Sequence, residues 1–177
     1  RLGEAIEDRS PLELRLLVAL VALRSIDEVA DWWNPSRPRR SIAGALAKTL
    51  RQSQSETARY LRRAWGRLAV SRRSVDDSVI QRLVGDAPGA DASALLRRCL
   101  LFPAGGDFIL HWTLRLDARE QWTDNQGETH RRLADYYRDR FEVRQAQSDP
   151  DALIDEMEAY FHAMRAGDEG LLNHLRP

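Results

Sequence analysis

The sequence predicts a mainly α fold containing one small β-hairpin, and three observations predict it. Apolar residues recur at helical spacing through most of the chain, in stretches opened by capping residues and closed by glycine or proline. The pair Gly105-Gly106 makes a hairpin-grade turn before the best strand candidate, residues 108–112, and Leu101-Phe102 supplies the paired strand. Between about residues 56 and 116 three helices come first and the hairpin second. That is the order of a winged helix, a helix-turn-helix variant with a β wing.

Each element has its own local cause. Ser10-Pro11-Leu12-Glu13 offers an N-cap, a proline at the first helical position and an acid in the first turn. Leu14, Leu17, Val18, Val21 and Ala22 follow as the face expected to be buried. Ser25 and Glu28 form a second capping box opening residues 26–33. Asn34-Pro35-Ser36-Arg37-Pro38 ends that helix, because two prolines remove donors and fix φ, and it reads as a linker. Residues 42–50 form a short helix and residues 56–71 a longer one. In the longer helix Tyr60, Leu61, Ala64, Trp65, Leu68 and Ala69 make an apolar stripe, with Arg59, Arg62, Arg63 and Arg67 outside it.

Ser74-Val75-Asp76-Asp77 caps the next helix, whose inner face carries Val79, Ile80, Leu83 and Val84; Gly85 closes it and Pro88-Gly89 turns the chain. Asp91 is expected to cap a third helix, residues 92–100, in the recognition position of a winged helix. Helices follow over residues 114–122 and 129–141, the latter with Leu133, Tyr136, Tyr137 and Phe141 on one face. Ser148-Asp149-Pro150 starts a helix over residues 152–166, where Ile154, Met157, Tyr160, Phe161 and Met164 are spaced for burial. Gly167-Asp168 ends it, and residues 171–175 begin one more. The expected organisation is a helical lead-in (1–52), a winged-helix-like domain (53–124) and helix-turn-helix pairs (125–177).

Composition removes several function classes. The chain has 177 residues and begins at Arg1 without a methionine, as a processed or excised piece would. No run reaches the roughly 18 uninterrupted apolar residues a membrane span needs, and Glu4, Glu7 and Asp8 interrupt any signal-peptide layout. Cys99 stands alone, so no disulfide framework or Cys-based zinc site can form, which fits a reducing cytoplasm. The 27 basic residues balance 27 acidic ones, so no global field draws nucleic acid. Locally the charges separate: seven arginines and one acid over residues 51–73, seven acids and Arg165 over residues 149–169. Such a basic middle and acidic end can attract each other or each face a partner.

No catalytic or metal constellation emerges. The histidines lack paired ligand spacing, and no nucleophile-elbow pattern surrounds Ser71, Ser74 or Ser93. Asp76-Asp77 and Glu156-x-Glu158 read as capping and solvated pairs. Trp32-Trp33 beside the proline linker reads as a packing or partner contact. No G-x-x-x-x-G-K-[ST] phosphate loop occurs, so this segment cannot cradle a nucleoside triphosphate by that route.

Four stretches carry a family resemblance. Leu95-Leu96-Arg97-Arg98-Cys99-Leu100-Leu101 is followed by Gly106-Asp107-Phe108-Ile109-Leu110-His111-Trp112-Thr113-Leu114-Arg115. Downstream come His130-Arg131-Arg132-Leu133-Ala134-Asp135-Tyr136-Tyr137 and Glu158-Ala159-Tyr160-Phe161-His162-Ala163-Met164-Arg165-Ala166-Gly167-Asp168. In this order they resemble the winged helix, the following helix and the first tetratricopeptide-like repeat of STAND-type signalling ATPases, over roughly residues 56–177. The sequence departs from that pattern at Trp112, where many members carry an acid after the histidine.

The resemblance implies a non-catalytic regulatory region, with the ATPase core upstream and ADP or ATP bound there rather than here. It implies that His111 touches the β-phosphate of bound ADP and holds the inactive state. Implied partners are the nucleotide-binding domain and further copies of the protein, with no membrane. A second reading, from the residues alone, is a DNA-binding transcription regulator using Arg97, Arg98 and the Arg62, Arg63, Arg67 face. A third is a helical adaptor that binds protein only.

Overall fold

The structure, a computed structural model, describes residues 10–24, 29, 42–121 and 126–175. The expected capping box at Ser25 and Glu28, the proline linker and Trp32-Trp33 lie outside them. The fold is mainly α with one small hairpin, in the expected order.

Helix α1 (Pro11–Leu23) starts at the predicted capping box. Glu13 N–H donates to Ser10 Oγ at 3.3 Å, and Ser10 N–H donates back to Glu13 Oε2 at 3.1 Å. Its buried face is Leu16, Leu17, Ala19 and Leu20, packed on α2 (Ile42–Gln52). Val18 and Ala22, expected inside, are exposed. The inward face is rotated about one position, because the helix is apolar almost all round and contact geometry chooses the face.

Helix α3 (Glu56–Leu68) buries the predicted stripe of Tyr60, Leu61, Ala64, Trp65 and Leu68. Trp65 is fully buried, and its Nε1–H donates to the carbonyl of Leu114 at 2.7 Å. Helix α4 (Asp77–Val84) is capped by Asp76, whose carboxylate accepts from Val79 N–H at 2.8 Å. Helix α5 (Ala90–Leu95) opens at Gly89 with no side-chain cap, so Asp91 sits in the first turn and not at the expected cap position. The helix then widens into a π turn, Leu96–Leu100, which buries Leu96, Cys99 and Leu100.

Strands β1 (Leu101–Ala104) and β2 (Asp107–Leu110) pair antiparallel, with Leu101 opposite Leu110 and Ala104 opposite Asp107. Both turn glycines have positive φ, +61° at Gly105 and +96° at Gly106, as a two-residue hairpin turn requires. The far edge of β2 is met by Val75, which forms a bridge with Phe108. The second strand is shorter than expected. It stops at Leu110, and Trp112 opens helix α6 (Trp112–Gln121) instead of ending the strand.

Helices α7 (Gln126–Ala146) and α8 (Ala152–Ala166) form an antiparallel pair, and α9 (Glu169–His174) begins another turn against them. Gly167 at φ +67° closes α8, and Asp168 caps α9. The buried face of α8 is not the expected one. Met157 is 71% exposed and Met164 53%, with Leu153, Ile154 and Tyr160 also exposed. The inward residues are Ala152, Asp155, Glu158, Ala159, His162 and Ala163.

A Trp65→Phe substitution keeps an aromatic ring but removes the indole donor to the Leu114 carbonyl and opens a small void. It is expected to cost about 2–4 kcal/mol in denaturant unfolding, with α6 amides exchanging faster than those of α2.

Candidate functional site

His111 stands at the corner between β2 and α6, and its carbonyl accepts from Arg115 N–H at 3.1 Å, closing the first turn of α6. Its Nδ1 lies 2.7 Å from Thr113 Oγ1, and Thr113 N–H points at the same nitrogen from 3.4 Å. A backbone donor facing Nδ1 makes that atom the acceptor, which assigns the ring proton to Nε2. Nε2 has no hydrogen-bond partner among the described residues. Arg115 Nε donates to the Leu110 carbonyl at 3.0 Å and ties the end of β2 to α6.

The surroundings of His111 are apolar and accessible. Trp112 is 65% exposed, Leu116 one turn later 50% and Ile109 37%. The ring of Phe102 lies 5.6 Å from the imidazole and that of Trp112 6.0 Å. Arg15 of α1 covers Phe102 at 4.2 Å and donates to the Arg98 carbonyl at 2.6 Å, so the lead-in helix braces this corner.

The arginines of the nucleic-acid reading divide into two sets. Arg97 is held by Asp77 through two contacts of 3.0 and 3.1 Å. Arg67 donates to the Leu83 carbonyl at 2.5 Å. Arg62, Arg63 and Arg98 make no side-chain hydrogen bond or ion pair among the described residues. The outer side of α5 faces α1 across a cleft of about 580 Å³, lined by Val18, Ala22, Leu23, Leu95, Arg98 and Cys99 among others.

A second polar cluster, which the sequence did not reveal, lies where α8 meets α7 and the segment between α3 and α4. The carboxylate of Asp155 is fully buried. Arg140 Nε and Arg144 Nη1 approach its Oδ2 at 3.1 and 3.0 Å, and Arg73 Nη1 lies 3.9 Å from Oδ1. These contacts are ion pairs by distance and lie off hydrogen-bond directions. His162 is also fully buried; its Nδ1 meets His130 Nδ1 at 2.7 Å and its Nε2 lies 3.8 Å from Glu158 Oε2. Burial, with His130 and Arg72 nearby, pushes the His162 pKa down to about 3. Burial, with Glu158 beside it, pushes the Tyr137 hydroxyl up to about 12. Glu158, expected as a solvated acid, is therefore an interior group. The arginine-rich middle and acid-rich end do meet, through Arg73 on Asp155 and Arg72 stacked 4.3 Å over Phe161.

Among the described residues no group of three or more His, Cys, Asp or Glu could hold a metal ion, and no helix is long and apolar enough to cross a membrane.

No protein-family profile matches the chain, and no curated protein sequence does. Among solved structures it matches a signal transduction ATPase with numerous domains (STAND) protein with a tetratricopeptide repeat sensor, from Pyrococcus horikoshii, at TM-score 0.59 and 16% identity. The match covers 93% of this chain and 21% of that one. At this identity the likeness is one of fold. This chain spans about a fifth of that protein's length.

Two predictions come from the buried cluster. The folded chain holds His162 neutral down to about pH 3, whereas an unfolded chain takes up its proton near 6.5. Stability is therefore complete above pH 6.5 and falls on acidification toward pH 3, by about 1.4 kcal/mol per pH unit from this group. The difference between wild type and His162→Asn in urea midpoints across that range should show this slope. Asp155→Ala leaves the half-buried Arg140 and Arg144 without their anion and is expected to cost about 1–3 kcal/mol by chemical denaturation.

Proposed function

We propose that this chain is a non-catalytic regulatory region of a STAND-like signal-transduction ATPase, docking on a nucleotide-binding domain outside the segment. The observation that carries the reading is the His111 corner. A ring nitrogen fixed as a donor, with no internal partner among the described residues, sits within an accessible apolar surface. An N–H of this kind suits a phosphate oxygen presented by a docked domain, and the flanking Trp112, Ile109 and Leu116 supply area for that contact. Nucleotide would be held by the other domain, since this chain has no phosphate loop.

In this reading α3, α4 and α5 with the hairpin form a winged helix, spanning residues 53–124 with the lead-in before it. The Val75–Phe108 bridge supports it, because a third short strand beside the wing is part of that pattern. Helices α7 to α9, residues 125–177, begin a tetratricopeptide-like array that senses a protein partner in the cytoplasm. The exposed stripe of Leu153, Met157, Tyr160 and Met164 gives that array an apolar face. Exchange of ADP for ATP would release the His111 corner and free a surface for self-association.

Two features favour protein docking over a DNA groove. The recognition-position helix faces α1 across the cleft, and Arg97 is already neutralised by Asp77. In the intact protein His111→Ala is expected to speed ADP release by at least about tenfold, the loss of one charge-assisted contact, and to raise basal signalling. Unchanged ADP retention would remove His111 from the mechanism. Fluorescence anisotropy with mixed-sequence duplex DNA is expected to show only weak binding that disappears at physiological salt. Affinity that survives salt and falls in an Arg97→Ala/Arg98→Ala variant would favour the transcription-regulator reading.

A further inference from the structure

The short segment between α3 and α4 is fastened on two sides. Toward the hairpin, Val75 N–H donates to the Phe108 carbonyl at 2.7 Å and Phe108 N–H donates to the Val75 carbonyl at 2.9 Å. Ser74 Oγ adds a bond to Asp107 Oδ2 at 2.9 Å. Toward the helical pair, Tyr136 Oη donates to Asp76 Oδ2 at 2.9 Å. Arg73 faces buried Asp155, and Arg72 lies over Phe161. Ser71 Oγ donates to the Arg73 carbonyl at 3.0 Å and folds the start of the segment onto itself.

Very little slack separates the two sets of contacts. Residues 72, 73 and 76 hold α7 and α8, while 74 and 75 hold β2. Val75 is buried, so it cannot slide without opening the core. From Phe108 the strand runs three residues to His111. A displacement of Tyr136 or Phe161 must therefore either break its own contact with the segment or move the backbone paired with β2. Packed interfaces of this kind respond as switches between discrete arrangements, not as continuous springs.

We propose that residues 71–76 form a coupling strap that carries a change in the packing of α7 and α8 to the hairpin and the His111 corner. The coupling lies within this chain and needs no nucleotide; only its link to nucleotide sensing rests on the role of His111 proposed above. A partner engaging the helical pair would act on the far corner through Asp76, Arg73 and Arg72.

The test is amide hydrogen exchange by NMR on the whole 177-residue chain. Tyr136→Phe keeps the ring and removes the hydroxyl that reaches Asp76. The Val75 and Phe108 amides, which form the bridge, are expected to exchange about fivefold faster, while α2 amides stay unchanged. Ser74→Ala removes the hydroxyl bond to Asp107 and loosens the strap at its other end, and is expected to shift the side-chain resonances of Tyr136 and Phe161. Unchanged exchange at Val75 and Phe108 would overturn the proposal, as would acceleration spread equally over α2, since the hydroxyl would then serve global stability alone. A Ser74→Ala spectrum unchanged at Tyr136 and Phe161 would overturn it as well. Because no nucleotide enters the experiment, failure here leaves the reading of His111 standing.

Discussion

The indole of Trp65 sets the constraint on which the rest of the structure depends. It is the largest fully buried side chain among the described residues, and it carries one N–H that must find an acceptor in the interior. The acceptor is the carbonyl of Leu114, in the first turn of α6. That bond fixes where α6 can start, and α6 starts immediately after His111. Leu114 is itself fully buried, so the turn carrying Thr113 and the imidazole is anchored from below. The accessible corner is thus positioned by a core contact formed 49 residues away along the chain.

The helical pair obeys a different constraint. Ala134 on α7 and Ala159 and Ala163 on α8 let the two backbones approach closely. The space left between them is filled by polar groups, Asp155, Glu158 and His162. A buried carboxylate is tolerated only when cations neutralise it, and Asp155 has two arginines from α7 with Arg73 beyond them. The cluster defines one register for the pair better than it adds stability, since apolar residues of similar volume would satisfy the same space. Arg73 also makes the register of the pair depend on the segment between α3 and α4.

What the sequence disclosed follows the range of the interactions. The Ser10–Glu13 capping box, the aspartate N-cap at Asp76, the Gly105-Gly106 turn and the stripes of α3 and α4 are local chemistry, and the structure repeats them. On helix α8 two stripes run side by side, offset by one residue, and the structure buries the less apolar one. Periodicity marks both, and apolarity points to the wrong one; the missed signal was the series of alanines interleaved with Asp155 and His162. Strand-forming residues continue past Leu110 through Trp112, so the local sequence extends β2 too far, while the pull of Trp65 on Leu114 turns the chain into a helix there. The π turn after Leu95 left no local mark, as it adjusts a helix end to the hairpin. His111 was legible only through resemblance. That its Nε2 is the donor nitrogen, with no partner among the described residues, is a three-dimensional fact that follows from Thr113 facing the other nitrogen.

The fold places a donor nitrogen and apolar area at the His111 corner, and an exposed apolar helix face on α8. We propose that a nucleotide-binding domain covers the His111 corner in the resting state. Amide exchange over residues 109–116 in the intact protein, compared between ADP-bound and ATP-bound forms, tests it most directly. The account predicts strong protection of that segment with ADP and its loss with ATP. Equal exchange in both forms, at the rate of the isolated chain, would contradict it.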